Sequence, residues 1–166
     1  MNSYLYFAIL FGIALLQSTV MPRITLLGVH PDLVLMAVTS WSLLRGAEEG
    51  MLCALVSGVI LDLLSGAPFG VYSLTLLIVG FATGLGQRNM LRIDILAPII
   101  VIPVATLVYM LVIATLLKVL GWNMAWGARL KAVLLPSILV NSLAMPFVYL
   151  PARLLHRRVG REAIRW

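Results

Sequence analysis

Charge is what this chain has least of. Only 11% of its 166 residues are charged, against about a quarter in an ordinary water-soluble domain. That is too little to cover the surface of a soluble body of this size. Cysteine is nearly absent: Cys53 stands alone, which excludes a disulfide and a cysteine-based zinc site and leaves a small packing residue. There are two histidines, His30 and His156, and six acids in all. No phosphate-cradling loop, nucleophile elbow or paired zinc-ligand motif occurs, so neither catalysis nor a cofactor or metal is expected. The basic residues are not interleaved with aromatics in a folded module, which argues against nucleic-acid binding.

What is abundant is apolar sequence, at 62% of residues and a mean hydropathy of +1.07. It comes in long blocks with short polar breaks. Hydrocarbon offers backbone groups no partner, so each block must pair its own amides and carbonyls, and helices of about 20 residues do this. Alternating segments of about 10 residues, the mark of a membrane β-barrel, are absent. The expectation is an all-α integral membrane protein with six transmembrane helices over 4–20, 31–46, 48–65, 69–86, 95–120 and 130–151. Residues 1–152 would form one transmembrane domain and 153–166 a basic cytoplasmic tail. The second block is short, and its apolar stretch spans only about 20 Å as a helix. The first block lacks a basic leader and a small-x-small cleavage site, so it reads as a retained span.

With both termini inside, cytoplasmic segments hold Arg45, Arg88, Arg92, Arg153, Arg157, Arg158, Arg161 and Arg165, while outer loops hold Arg23, Lys118, Arg129 and Lys131. That bias obeys the positive-inside rule. It also puts His30 and His156 on opposite sides, where they cannot share a metal. The basic tail reads as a topology determinant and, beyond that, as a contact for anionic lipid. Trp122 and Trp126, with cations nearby, mark an interfacial stretch.

Small residues recur every four positions at Gly46, Gly50, Ala54 and Gly58, again at Gly80 and Gly84, and at Ala8 and Gly12. Such rows let helix backbones approach closely. They serve packing within the chain or present a face to a partner protein, self-association included. Asp62 lies in the apolar run Val59-Ile60-Leu61-Asp62-Leu63-Leu64, just before the break at Ser65. A carboxylate there is costly and marks a function by default. Three roles are open: a lock on the Ser65–Gly70 turn through the amides around Phe69 to Val71, a partner contact, or ion handling. Asp32, after Pro31, reads as a first-turn acid of the second helix. Pro98, Pro103, Pro136 and Pro146 are expected to kink the last two helices, with Asn141 placed to bridge freed carbonyls.

Pro31-Asp32-Leu33-Val34-Leu35, Glu49-Gly50, and Gly58-x-x-Leu61-Asp62-Leu63-Leu64-Ser65-Gly66-x-Pro68-x-Gly70 together resemble the bacterial rod-shape-determining protein MreD family. The residue-level likeness covers Pro31 to Gly70, and beyond Gly86 it is one of hydropathy. The resemblance implies a non-enzymatic subunit of the cell-wall elongation machinery in the bacterial inner membrane. It would bind the single-span protein MreC and, through it, help couple MreB filaments to the peptidoglycan synthase. It also implies a fold similar to the six-helix substrate-capture subunits of energy-coupling-factor vitamin transporters. That supplies an alternative function, vitamin capture. The outer loops offer only His30, Ser65, Asn123 and a few cations for such a ligand, a poor lining.

Overall fold

The computed structural model describes residues 3–26, 28–86, 96–122 and 126–159. These form helices α1 (Ser3–Thr19), α2 (Leu33–Arg45), α3 (Ala47–Leu64), α4 (Val71–Leu85), α5 (Leu96–Val119) and α6 (Trp126–Val159), with a short 3₁₀ turn at Met21–Arg23. No strand occurs among the described residues; one isolated bridge joins Leu26 and Val29.

The second helix is the central post. It touches α1, α3, α4, α5 and α6, and Val34, Leu35, Met36 and Val38 are fully enclosed. Around it polar side chains are set among an apolar core, and large apolar side chains face outward. Ser40, Ser42, Ser57, Thr75, Thr106 and Asn141 are buried, whereas Leu63, Leu143 and Phe147 are 71%, 74% and 81% exposed. Four of the buried hydroxyls donate to the preceding turn: Ser40 to the Met36 carbonyl, Ser42 to Val38, Ser57 to Cys53 and Thr75 to Val71. Water would penalise such an apolar exterior, and lipid would not. Two helices contain stretches long and apolar enough to cross a membrane, Ala97–Val119 and Ala132–His156.

The tightest contacts lie between α3 and its neighbours. A methyl group at Gly58 would sit 2.5 Å from the Ser73 Cα on α4, and one at Gly84 would sit 2.5 Å from the Ala47 nitrogen. Gly80 faces Ala54 and the Gly50 carbonyl at 3.0 Å, and Gly50 meets Ser42 of α2. The rows on α3 and α4 are therefore pressed against each other and against α2. On α1, by contrast, a methyl group at Gly12 would meet nothing within 4 Å; the Ala8 side chain lies outside the described residues. Gly46 joins α2 directly to α3, and its φ of 91° is one that residues with a side chain rarely adopt.

Within the basic segment 153–166, the helix α6 continues to Val159; positions 160–166 are outside the described residues, as are Arg88, Arg92 and Asn123. One expectation needs correction. Asn141 does not bridge carbonyls freed by proline. Pro136 and Pro146 lie inside α6 and Pro103 inside α5, while the Asn141 side chain reaches away to α2.

Candidate functional site

Two carboxylates organise the end of the bundle that carries the Ser65–Gly70 turn. The helix α3 stops at Ser65, whose extended backbone (φ −91°, ψ 150°) breaks the helical path while its N–H still donates to the Leu61 carbonyl at 2.7 Å. The chain then turns through Gly66 and Pro68 to Gly70. Gly70 starts α4 in the left-handed region at φ 99° and has no side chain to cap the helix. A helix start leaves its first amides without partners. Asp62, one turn back on α3 and only 4% exposed, supplies the missing acceptor. Its Oδ1 accepts from the Tyr72 N–H at 2.9 Å and its Oδ2 from the Ser73 N–H at 3.0 Å. The Ser73 hydroxyl also donates to Oδ2. The amides engaged are thus those of Tyr72 and Ser73, one to two residues beyond the Phe69–Val71 segment expected from sequence. The carboxylate also sits at the positive end of the α4 dipole.

Asp32 does the same for its own helix. It is the N-cap of α2, with Oδ1 accepting from the Leu35 N–H at 2.9 Å. Two long-range partners complete that helix start. The Asp32 N–H donates to Asn141 Oδ1 of α6 at 3.0 Å, and the Leu33 N–H donates to Gln17 Oε1 of α1 at 2.7 Å. Asn141 in turn donates from Nδ2 to Thr106 Oγ1 of α5 at 3.2 Å. Pro31, buried just upstream, has no N–H to satisfy. Three amides of this part-buried helix start are therefore met by the cap residue itself and by one side chain each from α1 and α6. Replacing Asn141 with leucine strands the Asp32 amide, so we expect a loss of about 1–3 kcal/mol, read as a lower melting temperature of the purified protein. Gln17→Leu should show a similar loss through the Leu33 amide.

Between these anchors lies a cavity of about 370 Å³, lined by Gln17, Ser18, Asp32, Leu61, Leu64, Ser65, Tyr72, Tyr109 and Ile113. The Tyr109 hydroxyl lies against the Asp32 carboxylate, and the Ser65 hydroxyl is buried with no hydrogen-bond partner. Of this lining, Ser65 was legible in the sequence as an outer-loop group, whereas Gln17, Tyr72 and Tyr109 were not. They belong to different helices and come together only when α1, α3, α4 and α5 assemble around α2. His30, expected nearby, instead approaches the Ile24 carbonyl at 3.1 Å and is exposed.

At the other end of the bundle, Arg45 closes the α2–α3 turn. It pairs with Glu49 at 2.9 Å, donates from Nε to His156 Nδ1 at 3.2 Å, and stacks over the Trp41 ring at 5.2 Å. This ties α6 to the turn. Nearby, an apolar groove of about 430 Å³ runs beside α1, lined among others by Ile9, Leu10, Ile13, Trp41, Phe147 and Leu155. Among the described residues no group of histidine, cysteine or acidic side chains is placed to hold a metal.

The described residues thus form a helical bundle with an apolar core, buried polar groups at its helix starts and helix contacts, and large apolar side chains on its exterior. The sequence model of the rod shape-determining protein MreD matches residues 1–159 of the chain. The chain belongs to the MreD family. It is therefore a membrane protein with a role in rod-shape determination. No curated protein and no solved structure matches it.

Proposed function

We propose that this protein is a non-enzymatic scaffold subunit of the rod elongation machinery, set in the bacterial inner membrane with six spans and both termini in the cytoplasm. In this reading it binds the membrane span of MreC and helps couple MreB filaments to peptidoglycan synthesis. The family match over residues 1–159 carries the proposal. The geometry adds support, because the buried polar groups described above serve helix starts and helix contacts, which is what a rigid docking platform needs. The Asp62 carboxylate is the lock of that platform, holding α4 in a fixed relation to α3. The basic residues at the end of α6 supply a contact for anionic lipid.

The small-residue rows divide the labour. Those on α3 and α4 are filled by neighbouring helices, so the row on α1 is the one proposed to meet the partner. What supports this is the open space at Gly12 and the apolar groove along the same helix. A bulky residue there should block the partner without disturbing the bundle. We expect Gly12→Leu to reduce MreC retention at least about tenfold, equivalent to about 1.4 kcal/mol, with the melting temperature nearly unchanged.

The deciding experiment is a detergent pull-down of the tagged protein from native membranes, with co-purifying proteins identified by mass spectrometry. Recovery of MreC and elongation synthase subunits supports the scaffold reading. Recovery of an energy-coupling ATPase pair and its transmembrane partner overturns it.

A further inference from the structure

The cavity between Asp32 and Ser65 has a chemistry that helix capping does not exhaust. Its polar lining consists of one carboxylate, two phenols, two aliphatic hydroxyls and one amide, with no lysine, arginine or histidine. A second carboxylate, Asp62, stands close behind, and both acids act electrostatically on the Tyr72 and Tyr109 hydroxyls. The lining thus sets a carboxylate among acceptor groups with no side-chain cation to offset it, which disfavours an anionic ligand. A metal ion is a poor fit as well, since among the described residues no group of histidine, cysteine or acidic side chains is placed to hold one.

We propose that this cavity binds a primary ammonium group, carried by a lipid headgroup or by a small free amine. An ammonium has three donors and no acceptor. The lining matches it with acceptors. The Asp32 carboxylate already accepts from the Leu35 amide and is approached by the Tyr109 hydroxyl and the Val34 amide. Since a carboxylate has about four acceptor positions, it keeps room for one further donor. The Ser65 hydroxyl is buried and unpartnered, ready to accept. The Tyr72 and Tyr109 rings add faces that attract cations. Leu61, Leu64 and Ile113 form the apolar part of the wall and strengthen these contacts by keeping water out.

The test is native mass spectrometry of the full chain in detergent, titrated with short-chain phosphatidylethanolamine or phosphatidylglycerol. A parallel arm follows the melting temperature with added ethanolamine. The expected result is a preference of about tenfold for the ammonium-bearing lipid, or a rise in melting temperature with ethanolamine, on the scale of a desolvated cation–aromatic contact. The first outcome assigns the group to a headgroup and the second to a free amine. Asp32→Asn keeps an oxygen for the Leu35 amide but removes the charge, and should abolish either signal. Tyr72→Phe and Ser65→Ala should weaken it several-fold while leaving the melting temperature of the unliganded protein in place. Equal retention of both lipids, together with no response to ethanolamine, overturns the proposal. If Asp32→Asn fails to fold, the Tyr72 and Ser65 variants decide, and an unchanged signal in both refutes it.

Discussion

Replacing Asp62 with alanine is expected to lower stability by about 3 kcal/mol, the largest loss for any single polar truncation in this chain. The carboxylate accepts two backbone N–H groups and one hydroxyl. Each donor stranded in a buried place costs about 1–3 kcal/mol. Partial access to water at the helix end brings the sum down from its upper limit. Gly70 has no side chain to substitute, so α4 would lose its cap altogether. Asp62→Asn keeps one good acceptor and should lose about half as much. Ser73→Ala removes only the hydroxyl and should cost about 1 kcal/mol. Equilibrium unfolding of the purified variants in mixed micelles ranks the three. An Asp62→Ala protein as stable as the parent would show that the carboxylate is not a lock.

The second large effect belongs to Gly58. A methyl group there would lie 2.5 Å from the Ser73 Cα and 3.0 Å from its nitrogen. Both atoms are backbone, so no rotamer change relieves the clash and the two helices must separate. Overpacking of this kind costs about 1–3 kcal/mol, and we expect Gly58→Ala near the middle of that range and Gly58→Leu beyond it. Separation also pulls Ser73 from Asp62. The double variant of Gly58→Ala and Asp62→Ala should therefore lose less than the sum of the single losses, as residues sharing one contact do. Gly66→Ala is the control. A methyl group there meets nothing within 4 Å, and stability should stay within about 0.5 kcal/mol. Additive losses in the double variant would break the link drawn between the crossing and the cap.

How far these features were legible depends on sequence separation. Asp62 and its turn were visible because acid, Ser-Gly-x-Pro and Gly70 lie within ten residues, so only the exact amides were displaced. The place of Asp32 at the start of α2 was visible for the same reason, from Pro31 beside it. Asn141 and Gln17 were not, because their partners lie 109 and 16 positions away and nothing in local pattern links them. Asn141 sits between two prolines, which drew attention to the carbonyls of its own helix instead. The cavity was hidden for a similar reason. Gln17, Tyr72 and Tyr109 lie far apart in sequence on three different helices, and only packing converts them into one lining. Helix α6 tolerates arginines at 153, 157 and 158 once it has left the apolar region.

The cap of α2 also sets an order of assembly. The α3–α4 pair rests on neighbours in sequence and is available as soon as residue 85 has left the ribosome. The start of α2 is different, since its leading amide finds its acceptor only when Asn141 arrives on the final helix. During synthesis that amide must wait through more than a hundred residues with a temporary partner, whether water in the translocation channel or lipid headgroups. The central post is thus finished last, and a nascent chain released before Asn141 would carry an unsealed core.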